Sequence, residues 1–115
     1  MRLNADFDQR VVVTPEAYRW VDSPMAGVER MMLDRIGEEV ARATSLVRYA
    51  PNSTFPSHEH GGGEEILVLE GVFHDEHGVY PAGSWLRSPH GSQHTPFTGE
   101  EGALIYVKVG HLLPD

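Results

Sequence analysis

His58, His60 and Glu64 stand close together in this chain, and His94 follows far downstream. Three imidazoles and one carboxylate are enough to ligate a divalent metal ion. If the chain around them is extended, alternate side chains share a face, so His58 and His60 project together and Glu59 points away. Glu64 has their parity, with Ile66 and Val68, whereas Glu65 goes with Leu67 and Leu69. Parity selects Glu64 as the carboxylate ligand, subject to a one-residue shift that Gly61-Gly62-Gly63 can introduce. Those glycines also let the backbone turn sharply and pass close to a metal or a substrate. His94 is not local to the other three, so the fold must bring its strand beside theirs, and Pro89-His90-Gly91 suits the reversal.

Nitrogen and oxygen donors suit zinc, nickel, cobalt, manganese or ferrous iron. We expect one divalent ion per chain. Three histidines and a glutamate leave one or two positions open on a five- or six-coordinate ion, which separates a catalytic or sensing centre from a closed structural one. The chain has no cysteine, so disulfides, thiolate nucleophiles and cysteine zinc sites are excluded. Ser84, Ser88 and Ser92 have no His-Asp arrangement to make them nucleophiles. The formal charge of −8, with Lys108 the single lysine, disfavours nucleic acid and anionic membranes as partners. A small-molecule substrate or ligand is the expected partner.

Other residues fit simpler roles. His74, His77 and His111 suit solvated positions, while His90, near His94, suits the mouth of the site. Trp85, Phe73, Tyr106, Phe55 and Phe97 suit a core, with Phe55 and Phe97 near the ligands as an apolar wall. Met31-Met32-Leu33 suits a core or subunit contact, and Glu100-Glu101-Gly102 a solvated turn.

The elements that must position these groups are short. The 115 residues make a single domain, 1–115. Strands are expected at 11–13, 28–34, 40–49, 66–69, 72–74, 79–80, 84–87 and 103–109, with 28–34 and 40–49 pairing as a hairpin turned at Gly37. Ile66-Leu67-Val68-Leu69 reads as a strand buried on both faces. Residues 15–20 read as a loop or single turn. This pattern argues for an all-β sandwich or barrel. Neither a signal peptide nor an apolar run of the roughly 20 residues a membrane span needs is evident, so a soluble, cytoplasmic protein is expected.

The run His58-x-His60-x3-Glu64-x6-Gly71 and the run Gly83-x5-Pro89-x-Gly91-x2-His94 resemble the two cupin motifs, with Thr98 where many cupins carry Asn. More narrowly, Arg48-Tyr49-Ala50-Pro51, Gly62-Gly63-Glu64-Glu65, Leu67 to Phe73, Asp75-Glu76, Tyr80-Pro81-Ala82-Gly83 and Pro89-x-Gly91-Ser92-x-His94 resemble the cupin domain of ChrR-type anti-sigma regulators. The resemblance implies an RmlC-like cupin, a jelly-roll β-sandwich or barrel with a metal held by His58, His60, Glu64 and His94. ChrR-type proteins bind their sigma factor through a separate N-terminal helical zinc domain containing cysteines. This chain has neither the length nor a cysteine for such a domain, so direct sigma-factor binding is not expected of it.

Related small cupins include metal-dependent dioxygenases that cleave β-diketones or acetophenones. On that side, Glu64 would be a fourth ligand or a base toward a proton of a carbonyl or enol substrate. The alternative is a metal-binding sensor or regulatory module holding zinc or nickel. A homodimer is expected because small cupins bury exposed sheet edges against each other, with Asp6 to Val13 the candidate for strand exchange or dimer contact.

Overall fold

The computed structural model describes residues 1–56, 58–59 and 61–112, with 58–59 described by their backbone alone. The strands are β1 (Arg2–Leu3), β2 (Trp20–Asp22), β3 (Val28–Gly37), β4 (Ala41–Tyr49), β5 (His58–Glu59), β6 (Glu64–Asp75), β7 (Gly78–Pro81), β8 (Trp85–Ser88), β9 (Gln93–His94) and β10 (Phe97–Val109). A 3-10 turn, Pro15–Ala17, forms where a loop or single turn was expected. The architecture is all-β and antiparallel. One sheet has the order β1-β3-β4-β10-β6-β7, with β2 on β3 and β8 on β6, and a second, small sheet pairs β5 with β9. Among the described residues no helix is long and apolar enough to cross a membrane.

The hairpin read from the sequence forms, with Gly37 opposite Ala41 and Val28 opposite Tyr49. Its first strand runs on to Gly37 rather than stopping at Asp34. Period-two alternation then sorts side chains by face. Ile66 and Val68, Phe73, Ala103, Ile105 and Val107 form the core, with Val47, Tyr49, Tyr80, Leu86 and Val109 packed against it. The opposite parity, Leu67 and Leu69, stays 37% and 40% exposed. Ile66 to Leu69 is therefore not buried on both faces, because an antiparallel sheet here has only one face covered by other strands.

Further expectations fail for identifiable reasons. Val11-Val12-Val13 is not a strand; it finds no backbone partner among the described residues, Val11 and Val12 are exposed, and the segment lies along the outer face beside Leu33 and Tyr106. Glu100 to Gly102 is part of β10, where the register with β6 shifts between Thr98 and Ala103. Trp85 lies on the solvent side, 58% exposed, rather than in the core. Gly62 and Gly63 take φ of +95° and +77°. A Cβ on Gly62 would stand 2.7 Å from the Gly110 Cα, and one on Gly63 2.8 Å from the Leu112 Cβ. The glycine run thus lets the 61–63 turn pack against 110–112, which returns backbone hydrogen bonds from Gly110 N–H to Gly63 O and from Leu112 N–H to Gly62 O.

Candidate metal centre

Glu64 opens β6 directly after the glycine turn, and His94 closes β9. Pairing of β5 with β9 sets His58 opposite His94 in the backbone register. Glu64 and His94 are both buried, and the His94 Nε2 lies 3.3 Å from the Glu64 Oε1. Glu64 therefore faces inward with Ile66 and Val68, as its parity requires. His60 lies outside the described residues, as does the side chain of His58. Among the described residues no group of three or more His, Cys, Asp or Glu could hold a metal; of the four sequence candidates, the described side chains brought together are Glu64 and His94.

The other ring nitrogen of His94 is held by a residue that sequence reasoning did not assign to the site. Asp75 is buried, and its Oδ2 lies 3.3 Å from the His94 Nδ1. The remaining oxygen of Asp75 accepts from the Tyr80 hydroxyl and the His77 N–H, each at 2.8 Å. Burial alone would raise the Asp75 pKa, but these hydrogen bonds and the one to His94 hold it below the usual aspartate value. For His94, burial disfavours the charged ring, and the neighbouring Glu64 and Asp75 more than offset that, so its pKa lies above the usual histidine value. An ionised Asp75 accepting from Nδ1–H leaves Nε2 as the nitrogen facing Glu64, which is how a carboxylate fixes the tautomer of a metal-binding imidazole.

Glu65 shows the other fate. It accepts from the Arg87 Nε–H at 2.9 Å and pairs with the His111 Nε2 at 2.5 Å on the outer face. Those two partners keep its pKa low. His111 is thus half-buried and paired rather than solvated. His90 is exposed, and its Nδ1 accepts from the Gly62 N–H at 2.7 Å, tying the 89–91 loop to the glycine turn. Thr98 is buried and staples β10 to the turn before the site: its Oγ1 donates to Ala50 O and accepts from the Ser53 N–H.

Aromatic rings close the approach. Tyr49 meets Phe55 at 4.8 Å and Phe73 at 5.5 Å, and Phe73 lies 6.4 Å from the His94 ring. Burial, with the Glu64 charge second, pushes the Tyr49 hydroxyl pKa up. Phe55 joins this wall as expected, but Phe97 does not; it stacks on His74 and stays partly exposed.

The sequence profile of the ChrR cupin-like domain matches residues 8–113. The chain belongs to this family. An RmlC-like cupin protein from Ralstonia eutropha JMP134 superposes on the cupin with a TM-score of 0.75 at 17% identity, over 88% of this chain and 68% of that one. The Rhodobacter sphaeroides SigE complex with the anti-sigma ChrR gives 0.69 at 27% identity, over 84% of this chain and 51% of that one. This cupin therefore spans about half the length of that chain. An acetylacetone dioxygenase from Acinetobacter johnsonii gives 0.67 at 18% identity, over 88% and 72%. At identities under 20%, the first and third of these likenesses show the fold alone. No curated protein sequence matches this cupin.

Proposed function

We propose that this cupin holds one divalent ion among His58, His60, Glu64 and His94 and works as a metal-dependent dioxygenase, or a related enzyme, on a small carbonyl or enol substrate. The observation that carries the reading is His94: a buried imidazole with Nδ1 against Asp75 and Nε2 3.3 Å from Glu64. The donor set fits, since nitrogen and oxygen groups of this kind accept zinc, iron, nickel or manganese. When bound, such an ion supplies Lewis acidity and, if redox-active, electron exchange with dioxygen. The chain's own residues supply the rest. Asp75 orients the His94 ring, the Glu64 carboxylate can take a substrate proton, and Tyr49, Phe55 and Phe73 keep water from the approach.

A second reading is a metal-binding sensor or regulatory module without sigma-factor binding of its own. Its support is the family match and the 27% identity with the ChrR complex. On either reading a homodimer places Asp6 to Val13 in the contact, supported by the exposure of Phe7, Val11 and Val12 along that segment.

The test is elemental mass spectrometry of untagged protein beside a His58→Ala/His94→Ala control, followed by oxygen uptake with acetylacetone. About one equivalent of iron or manganese, absent from the control, with metal-dependent uptake, supports the enzyme. Tightly held zinc without uptake favours the sensor. Equal metal in protein and control overturns the site.

A further inference from the structure

Two arginines on the inner face of β3 play no part in the metal centre. Arg35 is 6% exposed, and the Arg30 side chain 17%. Cross-strand register puts them on the same wall as the centre. Arg35, Ala43, Val109 and Glu64 form one row across β3, β4, β10 and β6, and Arg30, Val47, Ile105 and Val68 form another. Buried arginine is rare unless paired. Arg35 donates to the Glu38 backbone oxygen and has no ion pair among the described residues. Burial and the charge of Arg30 both lower its pKa, as expected for two guanidinium groups sharing one interior. Arg30 is paired, but with a solvent-exposed carboxylate: Glu39, 64% exposed, accepts from Nη1 and Nη2 at 3.2 and 2.9 Å. The Nε–H of both arginines is shielded from water and finds no acceptor among the described residues.

Arg30 also lines a cleft of about 290 Å³ with Met25, Val28, Val47, Tyr49 and Phe55. That volume is at the small end of ligand pockets, and its lining residues are apolar apart from Arg30, Ser23 and the hydroxyl of Tyr49. From its far side the rings of Tyr49 and Phe73 lead to His94. Apolar walls with one cationic group select an apolar body carrying one anionic group. A planar carboxylate matches the fork of a guanidinium better than any neutral acceptor.

We propose that this inner cleft binds small apolar carboxylates, with Arg30 receiving the carboxylate and Met25, Val28, Tyr49 and Phe55 holding the apolar body. Arg35, behind it, keeps the wall positive, and Glu39 is the displaceable counter-ion of Arg30. The inference deepens the proposed function by naming the ligand class of the same barrel, but it needs no metal.

The experiment titrates the metal-stripped 115-residue protein with benzoate, benzyl alcohol and benzylamine, followed by saturation-transfer NMR and calorimetry. Benzoate should saturate, benzyl alcohol should bind roughly tenfold or more weakly, and benzylamine should not bind. Arg30→Gln should reduce benzoate to the level of the alcohol. Glu39→Gln, which frees the guanidinium, should tighten benzoate several-fold, a gain that a folding defect does not mimic. No saturable benzoate binding, equal binding of benzylamine, or unchanged affinity in both variants overturns the proposal. His94→Ala separates it from the metal reading. If that variant loses metal while wild type fails to bind benzoate, only the cleft falls; if benzoate behaves as expected and no metal loads, only the metal centre falls.

Discussion

Glu64 and Glu65 are neighbours in sequence and end in opposite electrostatic settings. Inside, two carboxylates, Glu64 and Asp75, flank the one imidazole of His94. Outside, one carboxylate, Glu65, is flanked by the Arg87 guanidinium and the imidazole of His111. The residue types overlap, but the charge sense is reversed: the named inner groups are in excess negative, the outer ones balanced or positive. Burial adds to the difference, with the His94 side chain 4% exposed and Arg87 57%. The inner carboxylates and imidazole form a buried, mutually hydrogen-bonded cluster, whereas the outer Arg87–Glu65 contact is a surface ion pair of the kind that contributes little.

The sharpest way to break that contrast is to remove each histidine in turn. His94→Ala should reduce bound metal from about one equivalent to background, and His111→Ala should leave it unchanged, measured by elemental mass spectrometry. Equal loss in both would mean that the two clusters are not distinct. The same contrast holds for packing. Phe73 is 0% exposed, so Phe73→Ala should cost about 3–5 kcal/mol in denaturant unfolding. Leu67→Ala, on the outer face at 37% exposure, should cost about 1 kcal/mol or less. Between these two lies the effect of the carboxylate behind the ring. Asp75→Asn should weaken metal binding about 10- to 100-fold, while Glu65→Gln leaves it unchanged. If the two substitutions act alike in competition with a chelator, Asp75 is not orienting His94.

The part of this contrast visible in the sequence was the part carried by strict alternation. Glu64, Ile66 and Val68 against Glu65, Leu67 and Leu69 sorted correctly because β6 is regular there. Asp75 was hidden because parity changes along the strand. Inner positions are even-numbered up to Val68 and odd-numbered at Phe73 and Asp75, and the register with β10 shifts between Leu104 and Ile105. Gly71, with φ of +72°, was the available signal, since an isolated glycine inside a strand pattern marks a bulge that reverses the faces. His111 was misplaced for a different reason. Its burial depends on the 110–112 segment packing onto the glycine turn, a contact between segments far apart in the chain that no local pattern encodes. Val11-Val12-Val13 had strand composition without a strand partner, and β-propensity without pairing does not make a sheet.

The finest test of the inner cluster is the Tyr80 phenol, which touches Asp75 but not the candidate ligands. Burial first, then its hydrogen bond to Asp75 and the charges of Asp75 and Glu76, push its pKa from 10.0 up to about 12. Between those values an unfolded chain sheds the phenol proton while the folded chain keeps it. The stabilisation from this group is therefore whole below about pH 10 and is lost as pH rises through about 12. Tyrosinate absorbance, taken as the difference between wild type and Tyr80→Phe, should show a step near 12. Asp75→Asn should bring that step down toward the ordinary phenol value, because it removes the anion and keeps the shape. A Tyr80 step near 10 in wild type would mean that the aspartate is not held ionised against the phenol, and the assignment of Asp75 as the group that fixes the His94 ring would fall with it.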